Sequence, residues 1–491
     1  MEKNAKGIGL LALVAIIVSG AIGGGVFNLA NDLASGATAG GVVISWLFIG
    51  FGILMLVLSL NRLIINKPEL SGLSDYARAG FGDFVGFLSG WGYWISAWTG
   101  TIGFAVLMMT SADYFFPGIL ADKNGSLTII AVMIVSAISW MLTLLVIRGV
   151  ESAAIVNAIV LVAKLIPLVV FVIAGLVTFK AGVFTQHFWQ TFSANMAADG
   201  SVKSLTWSAM TGSALFGQVK SSLLVMIWIF VGIEGAAVMG DRAKKKSDAG
   251  KATILGLVVL LVFYTLLSLL PYGFMDQKAL ANVSAPGLVY ILNAMVGGWG
   301  GTLMAVGLII SLLGAWLSWT MLPVEATQQL AEQKLLPKWF GVLNKNNAPS
   351  HSLLLTQVVI QIFIIITFFV ANAYNVFIYM ATAVIMISYA LVGAYLLKLG
   401  IQEKSVKSIL IGFFAFAFQV LALYFSGWQF VWLSSIVYTL GYYFYIRAKK
   451  ENGKKLTTVE LIIIIIFVLA AALAVYGLCT DQYGLRALLG I

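Results

Sequence analysis

Residues 9–34 read GLLALVAIIVSGAIGGGVFNLANDLA. The stretch is long enough to cross a bilayer, which takes about 20 apolar residues. Its middle holds Gly20-Ala-Ile-Gly-Gly-Gly25. Each glycine inside a helix costs about 1 kcal/mol relative to alanine, so the run predicts a helix interrupted near its midpoint. A second interruption, Gly232-Ile-Glu-Gly235, falls in the apolar stretch over 221–240. A lone glycine in such a helix usually serves close packing. Two breaks leading two successive sets of five spans are instead the pattern of inverted repeats that hold a binding site at their interface. Unwound turns expose amide N–H groups at half-helix N-termini, which attract carboxylates.

Composition fixes the solvent. Apolar residues make up 61% of the 491, charged residues 10%, and mean hydropathy is +1.00. A soluble domain needs a charged surface that this chain cannot supply. Long apolar runs such as Ile254 to Leu270 oppose the alternating pattern of a membrane barrel. The expectation is an all-α integral membrane protein. Its net charge of +10 reads as basic loops kept in the cytoplasm rather than as a nucleic-acid surface. The single cysteine, Cys479, allows no intrachain disulfide. The two histidines, His187 and His351, lie far apart and read as surface residues; no metal motif and no cofactor are expected. The first apolar stretch leads into glycines rather than a cleavage site, so no cleaved signal peptide is expected.

Thirteen spans are predicted, near 9–34, 40–62, 83–116, 126–147, 153–179, 221–240, 251–274, 299–330, 352–371, 375–398, 408–425, 427–446 and 458–479. An inside N-terminus puts 22 of the 29 Lys and Arg on the cytoplasmic side, including Arg242 to Lys246 and Arg447 to Lys455. The C-terminus then lies outside the cell membrane. The chain divides into a first repeat over 1–180, an outer loop over 181–220 with a short helix, a second repeat over 221–400, and C-terminal spans over 401–491. The last group reads as scaffold or homodimer contact, with Trp428 and Trp432 as interfacial anchors.

Four motifs in order resemble the amino acid–polyamine–organocation superfamily, nearest its basic amino acid/polyamine antiporters. They are Ser19-Gly-Ala-Ile-Gly-Gly-Gly-Val-Phe27, Trp91-Gly-Tyr-Trp-Ile-Ser-Ala-Trp98, Trp228-Ile-Phe-Val-Gly-Ile-Glu-Gly235 with Arg242-Ala-Lys244, and Trp319-Thr-Met-Leu-Pro323. The resemblance covers about the first 400 residues and implies a LeuT-like 5+5 fold working by alternating access. It implies that the substrate carboxylate meets amides at Ile22, Gly23, Gly24 and Gly25, and the amino group meets carbonyls from Phe230 to Gly232. Trp228 and Trp319 match the gating and side-chain-covering indoles, where a cation gains about 0.5–2 kcal/mol. Tyr93 matches a cytoplasmic gate position. Thr101 stands where relatives often carry Asn, which leaves side-chain specificity open. The family's usual unit has twelve helices, and a thirteenth fits its arginine/ornithine branch.

Two ionisable residues resist a packing explanation. Lys164 lies mid-span in Ala163-Lys-Leu-Ile-Pro167, where a buried ammonium is costly and marks a functional pathway. By resemblance it stands in for a coupling sodium and braces the first helix against the eighth. Glu234 lies in the second break and is either paired or protonated for gating. Glu325, after Pro323, is a candidate for the cytoplasmic gate. Asp32 and Asp113 are read as reaching water at outer helix ends.

The implied function is exchange of a basic amino acid for its metabolic product, arginine for ornithine first, histidine for histamine second, with a proton-coupled importer as a further alternative. Partners are small amino acids and amines and the lipid bilayer. No catalytic constellation is present, and no repeated filter or charge ring suggests a channel.

Overall fold

The computed structural model describes residues 9–70, 72–122, 125–149, 154–197, 201–234, 246–480 and 485–486. In chain order its helices are α1 (Leu10–Ala21), α2 (Leu29–Ala34), α3 (Ala39–Asn66), α4 (Leu73–Phe81), α5 (Asp83–Asp113), α6 (Ile129–Ile147), α7 (Ala154–Thr178), α8 (Ala181–Thr185) and α9 (Gly212–Trp228). They continue as α10 (Lys246–Phe274), α11 (Gln277–Ala281), α12 (Gly287–Val296), α13 (Gly298–Glu332), α14 (Ser350–Ile366), α15 (Ala373–Gln402), α16 (Val406–Ala422), α17 (Trp428–Glu451) and α18 (Thr458–Thr480). One hairpin, β1 (Gln190–Met196) with β2 (Val202–Ala209), interrupts them.

Among the described residues eight helices are long and apolar enough to cross a membrane, α3, α5, α6, α10, α13, α15, α16 (extended to Phe425) and α18. Of these α5 is the most enclosed, its most apolar stretch being 94% buried, whereas that of α18 is only 22% buried. Helices α13 and α15 pack on α5, and α10 packs on α1 and α3. This places the two broken spans and α5 in the interior, where polar groups must find protein partners.

The expected outer loop differs from expectation. Besides the short helix α8 it carries the hairpin, and α9 already begins at Gly212, with the Thr211 side chain accepting from the Ala214 amide at 3.2 Å. Lys220 therefore lies in α9, not in a loop. The cap and the alternation in Val202-Lys-Ser-Leu-Thr-Trp decide both features locally. The hairpin segment is tied down: the Gly40 amide donates to the Phe188 carbonyl at 3.1 Å, and the Gln218 side chain accepts from the Thr38 amide at 3.1 Å. His187 stacks on Trp207 at 3.8 Å. Helix α12 lies between the predicted spans 251–274 and 299–330, where the sequence reading names no element.

The C-terminal spans are tied together by buried polar contacts. Lys449 and Glu460 pair at 2.8 Å, with side chains 11% and 8% exposed, and Tyr445 donates to the same carboxylate at 2.7 Å. Trp428 is exposed, and Trp432 donates to the Ala470 carbonyl at 2.8 Å. Asp83 pairs with Arg78 at 2.9 Å and with Lys454 at 3.1 Å, which draws the 78–83 corner and the basic run near 450 onto one face. Of the other basic cluster, Arg242 to Lys245 lie outside the described residues.

Candidate substrate site

The first span is broken as its glycines demand. Helix α1 stops at Ala21, Ile22 and Gly23 are non-helical, and a 3-10 turn over Gly24–Phe27 leads through Asn28 into α2. A terminated helix leaves carbonyls without intrahelical donors. Here two receive donors from elsewhere: Tyr264 on α10 donates to the Ala21 carbonyl at 2.9 Å, and the Lys164 ammonium on α7 donates to the Ile22 carbonyl at 3.1 Å. Lys164 is 3% exposed. Its helix also packs against α13, with Ala163 and Pro167 against Gly307, so α7 lies between the first break and the eighth predicted span.

The second break begins at Trp228. Beyond it the chain makes tight turns, with the Val231 amide donating to the Trp228 carbonyl at 3.0 Å and the Ile233 amide to the Phe230 carbonyl at 3.1 Å. Gly232 has φ +104°, a conformation only glycine adopts without strain. Its amide donates to Glu234 Oε2 at 2.9 Å, and Tyr389 on α15 donates to the same oxygen at 2.7 Å. The Tyr93 hydroxyl is hydrogen-bonded to this carboxylate as well, and Glu325, exposed on α13, lies close enough to Tyr93 to act on it electrostatically. Tyr93, Glu234 and Glu325 thus come together, and Tyr389 completes the group. Gly235 lies outside the described residues.

The two breaks touch. A Cβ at Gly25 would sit 2.5 Å from Trp228 Cδ1, so the indole lies directly on the first turn. Trp228 meets Trp319 edge-on with centroids 6.0 Å apart, and Phe104 packs on Trp319 at 4.9 Å and Trp228 at 6.3 Å. Gly23 faces Phe104, Gly24 faces Leu107 and Leu312, and Gly100 faces both indoles. Ile22, Gly23, Gly24, Gly25, Trp228 and Trp319 therefore surround one place. Trp316, one turn before Trp319, is 1% exposed and belongs to the core.

Two expected residues stand apart. The Phe230 ring turns toward Trp46 and Tyr264, so only its backbone faces the break. Thr101 donates its hydroxyl to the Ala97 carbonyl of its own helix at 3.0 Å. Three residues of the cluster were not singled out from sequence: Phe104, Tyr264 and Tyr389. The two tyrosines carried a signal, a hydroxyl in the middle of an apolar run. Phe104 carried none. Asp113 accepts from the amides of Gly118, Leu120 and Ala121 and so shapes the loop after α5. The reading of Asp32 as water-facing is corrected: Oδ1 accepts from Asn28 at 2.9 Å and Asn375 at 3.3 Å, and Oδ2 is buried.

The Ile22 and Gly23 amides donate to the Val18 and Ala21 carbonyls at 3.0 and 2.8 Å, so the expected carboxylate contact falls to the amides of Gly24 and Gly25 that open the turn. The site adds indole and phenyl faces that suit a cation and one buried carboxylate, Glu234, held by Tyr93 of α5 and Tyr389 of α15. Among the described residues no group of three His, Cys, Asp or Glu side chains could hold a metal ion.

The chain is 73% identical, over its whole length and 99% of the relative's, to an arginine/ornithine antiporter, ArcD2, of Lactococcus lactis subsp. cremoris. It is 36% identical to an arginine/ornithine antiporter of Pseudomonas aeruginosa, with 97% of this chain and 98% of the relative aligned. It is also 36% identical to an arginine/agmatine antiporter of Chlamydia caviae, with 98% of each aligned. A family model described as amino acid permease matches residues 8–468. The chain is therefore a multi-pass membrane protein of the amino acid permease family, within the amino acid–polyamine–organocation superfamily.

Proposed function

We propose that this protein exchanges arginine for ornithine across the cell membrane by alternating access at the junction of the two helix breaks. The observation that carries the reading is the seating of Trp228 on the Gly25 turn, with Trp319 and Phe104 closing around it. That junction combines leading amides for a carboxylate with aromatic faces for a side-chain cation, the two recognition elements a basic amino acid requires. The curated relatives described above are named for arginine with ornithine or agmatine. The histidine–histamine pair draws no support from them.

In this mechanism the substrate carboxylate binds the amides of Gly24 and Gly25, since those of Ile22 and Gly23 already donate to the Val18 and Ala21 carbonyls. The amino group binds carbonyls from Phe230 to Gly232; the Phe230 carbonyl, already accepting from Ile233, keeps a second lone pair. Trp228 and Trp319 cover the side chain. Lys164 supplies fixed positive charge and holds the first break to α7 and α13. Tyr93, Glu234 and Tyr389, with Glu325 nearby, close the cytoplasmic side. The frame is thirteen spans with inverted repeats over 1–180 and 221–400, N-terminus inside and C-terminus outside, in accord with the basic face around Lys454 and Arg78.

The test is uptake of labelled arginine into liposomes containing the purified protein. Uptake that needs internal ornithine is expected. Equal uptake into empty liposomes driven by a proton gradient would replace exchange with import, and a response confined to histidine with internal histamine would replace the pair.

A further inference from the structure

Helices α2 and α15 meet in a polar cluster that the mechanism above does not use. Asn28 and Asn375 both donate side-chain amides to Asp32 Oδ1, at 2.9 and 3.3 Å. The Asn28 oxygen accepts from the Gly287 amide at 3.1 Å, which fixes that side chain's orientation. Two acceptors are left unmatched: Asp32 Oδ2 and Asn375 Oδ1 are out of contact with solvent and have no hydrogen-bond partner. The buried Tyr374 hydroxyl lies within electrostatic reach of Asp32 and is hydrogen-bonded by the Trp228 indole N–H. Each such acceptor costs about 1–3 kcal/mol, and a charged one more. A carboxylate oxygen and an amide oxygen can only accept. The group that satisfies them together is a multiple donor carrying positive charge.

The position of the cluster says when such a donor would arrive. Tyr374 lies against Gly103, one turn from Gly100, which faces Trp228 and Trp319. On α15, Asn375 and Tyr389 are 14 residues apart, about 21 Å at helical rise. The aromatic cluster lies between the Asp32 group and the Glu234 group, so the two mark opposite ends of one path. In the orientation proposed above the Asp32 end is the outer one.

We propose that Asp32, Tyr374 and Asn375 form an outer subsite that captures the cationic head of the incoming substrate, a guanidinium or primary ammonium, before it passes Trp228. The proposal rests on the cationic-substrate reading. Asp32 Oδ2 and Asn375 Oδ1 accept from the head group's N–H donors, and the Tyr374 hydroxyl supplies a third acceptor. As the substrate moves on, the head group exchanges these for the faces of Trp228 and Trp319.

The test measures KM for arginine separately on the outer and inner faces of oriented proteoliposomes, with ornithine opposite, in wild type and Asp32→Asn. Asparagine keeps an oxygen for Asn28 and Asn375 but loses the charge. The outer KM is expected to rise about tenfold, the low end of the scale of one hydrogen bond to a charged group, with the inner KM unchanged. Inhibition by external citrulline, a neutral molecule of nearly the same shape, is expected to stay constant. Tyr374→Phe and Asn375→Ala are expected to raise outer KM by smaller factors, and they decide the matter should Asp32→Asn be poorly expressed. An unchanged outer KM, or an equal rise on both faces, would overturn the subsite and leave Asp32 as a latch between α2 and α15. Absence of arginine–ornithine exchange in wild type would instead remove the reading on which the subsite rests.

Discussion

Lys164 reaches from α7 into the break of the first span and donates to the Ile22 carbonyl at 3.1 Å. Tyr264 does the same for the preceding carbonyl of Ala21. The interruption is thus cross-linked to two other helices, and one link carries charge. Replacing Lys164 with alanine removes the donor and the charge together. Arginine exchange without sodium is expected to fall at least about tenfold, with the protein still eluting as a single species from a sizing column. Sodium-free exchange at the wild-type rate would contradict the assigned role. The energetic scale is one hydrogen bond to a charged group, about 1.5–3 kcal/mol.

Gly25 and Gly23 make a matched pair of substitutions. A Cβ at Gly25 would stand 2.5 Å from Trp228 Cδ1, whereas one at Gly23 would meet Phe104 at an ordinary 3.5 Å. Gly25→Ala is therefore expected to displace the indole and abolish most exchange, and Gly23→Ala to retain a larger share. Quenching of tryptophan fluorescence by external iodide, compared between the variants, reports the displaced ring. Equal activity of the two would show that the contact does not govern the site.

Glu234 Oε2 accepts from both the Gly232 amide and Tyr389. Residues sharing one network couple by about 0.5–3 kcal/mol in double-mutant cycles. Glu234→Gln and Tyr389→Phe are expected to be non-additive in kcat for exchange, the double variant losing less than the product of the single effects. Glu234→Gln should also alter the pH profile of exchange, since the titrating group is gone. Additive effects with an unchanged profile would separate this cluster from gating.

The Lys449–Glu460 pair predicts a stability effect away from the substrate path. Breaking a fully buried pair costs about 3–5 kcal/mol, and this one, 11% and 8% exposed, should cost somewhat less. Lys449→Met is expected to lower the melting temperature in detergent, and adding Glu460→Gln to recover part of the loss. A melting curve unmoved by Lys449→Met would assign the pair no net stabilisation.

The sequence disclosed what hydropathy and glycine control. Apolar runs marked the long helices to within a few residues, because a bilayer-length run has few alternatives. Gly20 to Gly25 and Gly232 marked the breaks, because repeated glycine and a positive φ leave a plain trace. Pairings across the chain left less. The hairpin at 190–209 is held by Phe188, Gln190 and Gln218 reaching helices far away in sequence. Helix α12 sits in a stretch too short to read as a span. Asp32 looked like a water-facing acid because its partner Asn375 lies in another helix altogether. Phe104 leaves no such trace: inside an enclosed helix, an aromatic packed on two indoles reads like any other core residue.

Helix α15 has a consequence beyond packing. It runs unbroken from Ala373 to Gln402 with no proline, places Asn375 beside Asp32, and places Tyr389 on Glu234. One stiff rod therefore holds both polar groups, the two mouths of the proposed route. A rod that tilts about its middle swings its ends in opposite directions, so slack gained at one mouth is taken up at the other. A see-saw of this kind would make a continuous leak mechanically awkward and would let the cell trade one cation for another without spending its membrane potential on open holes.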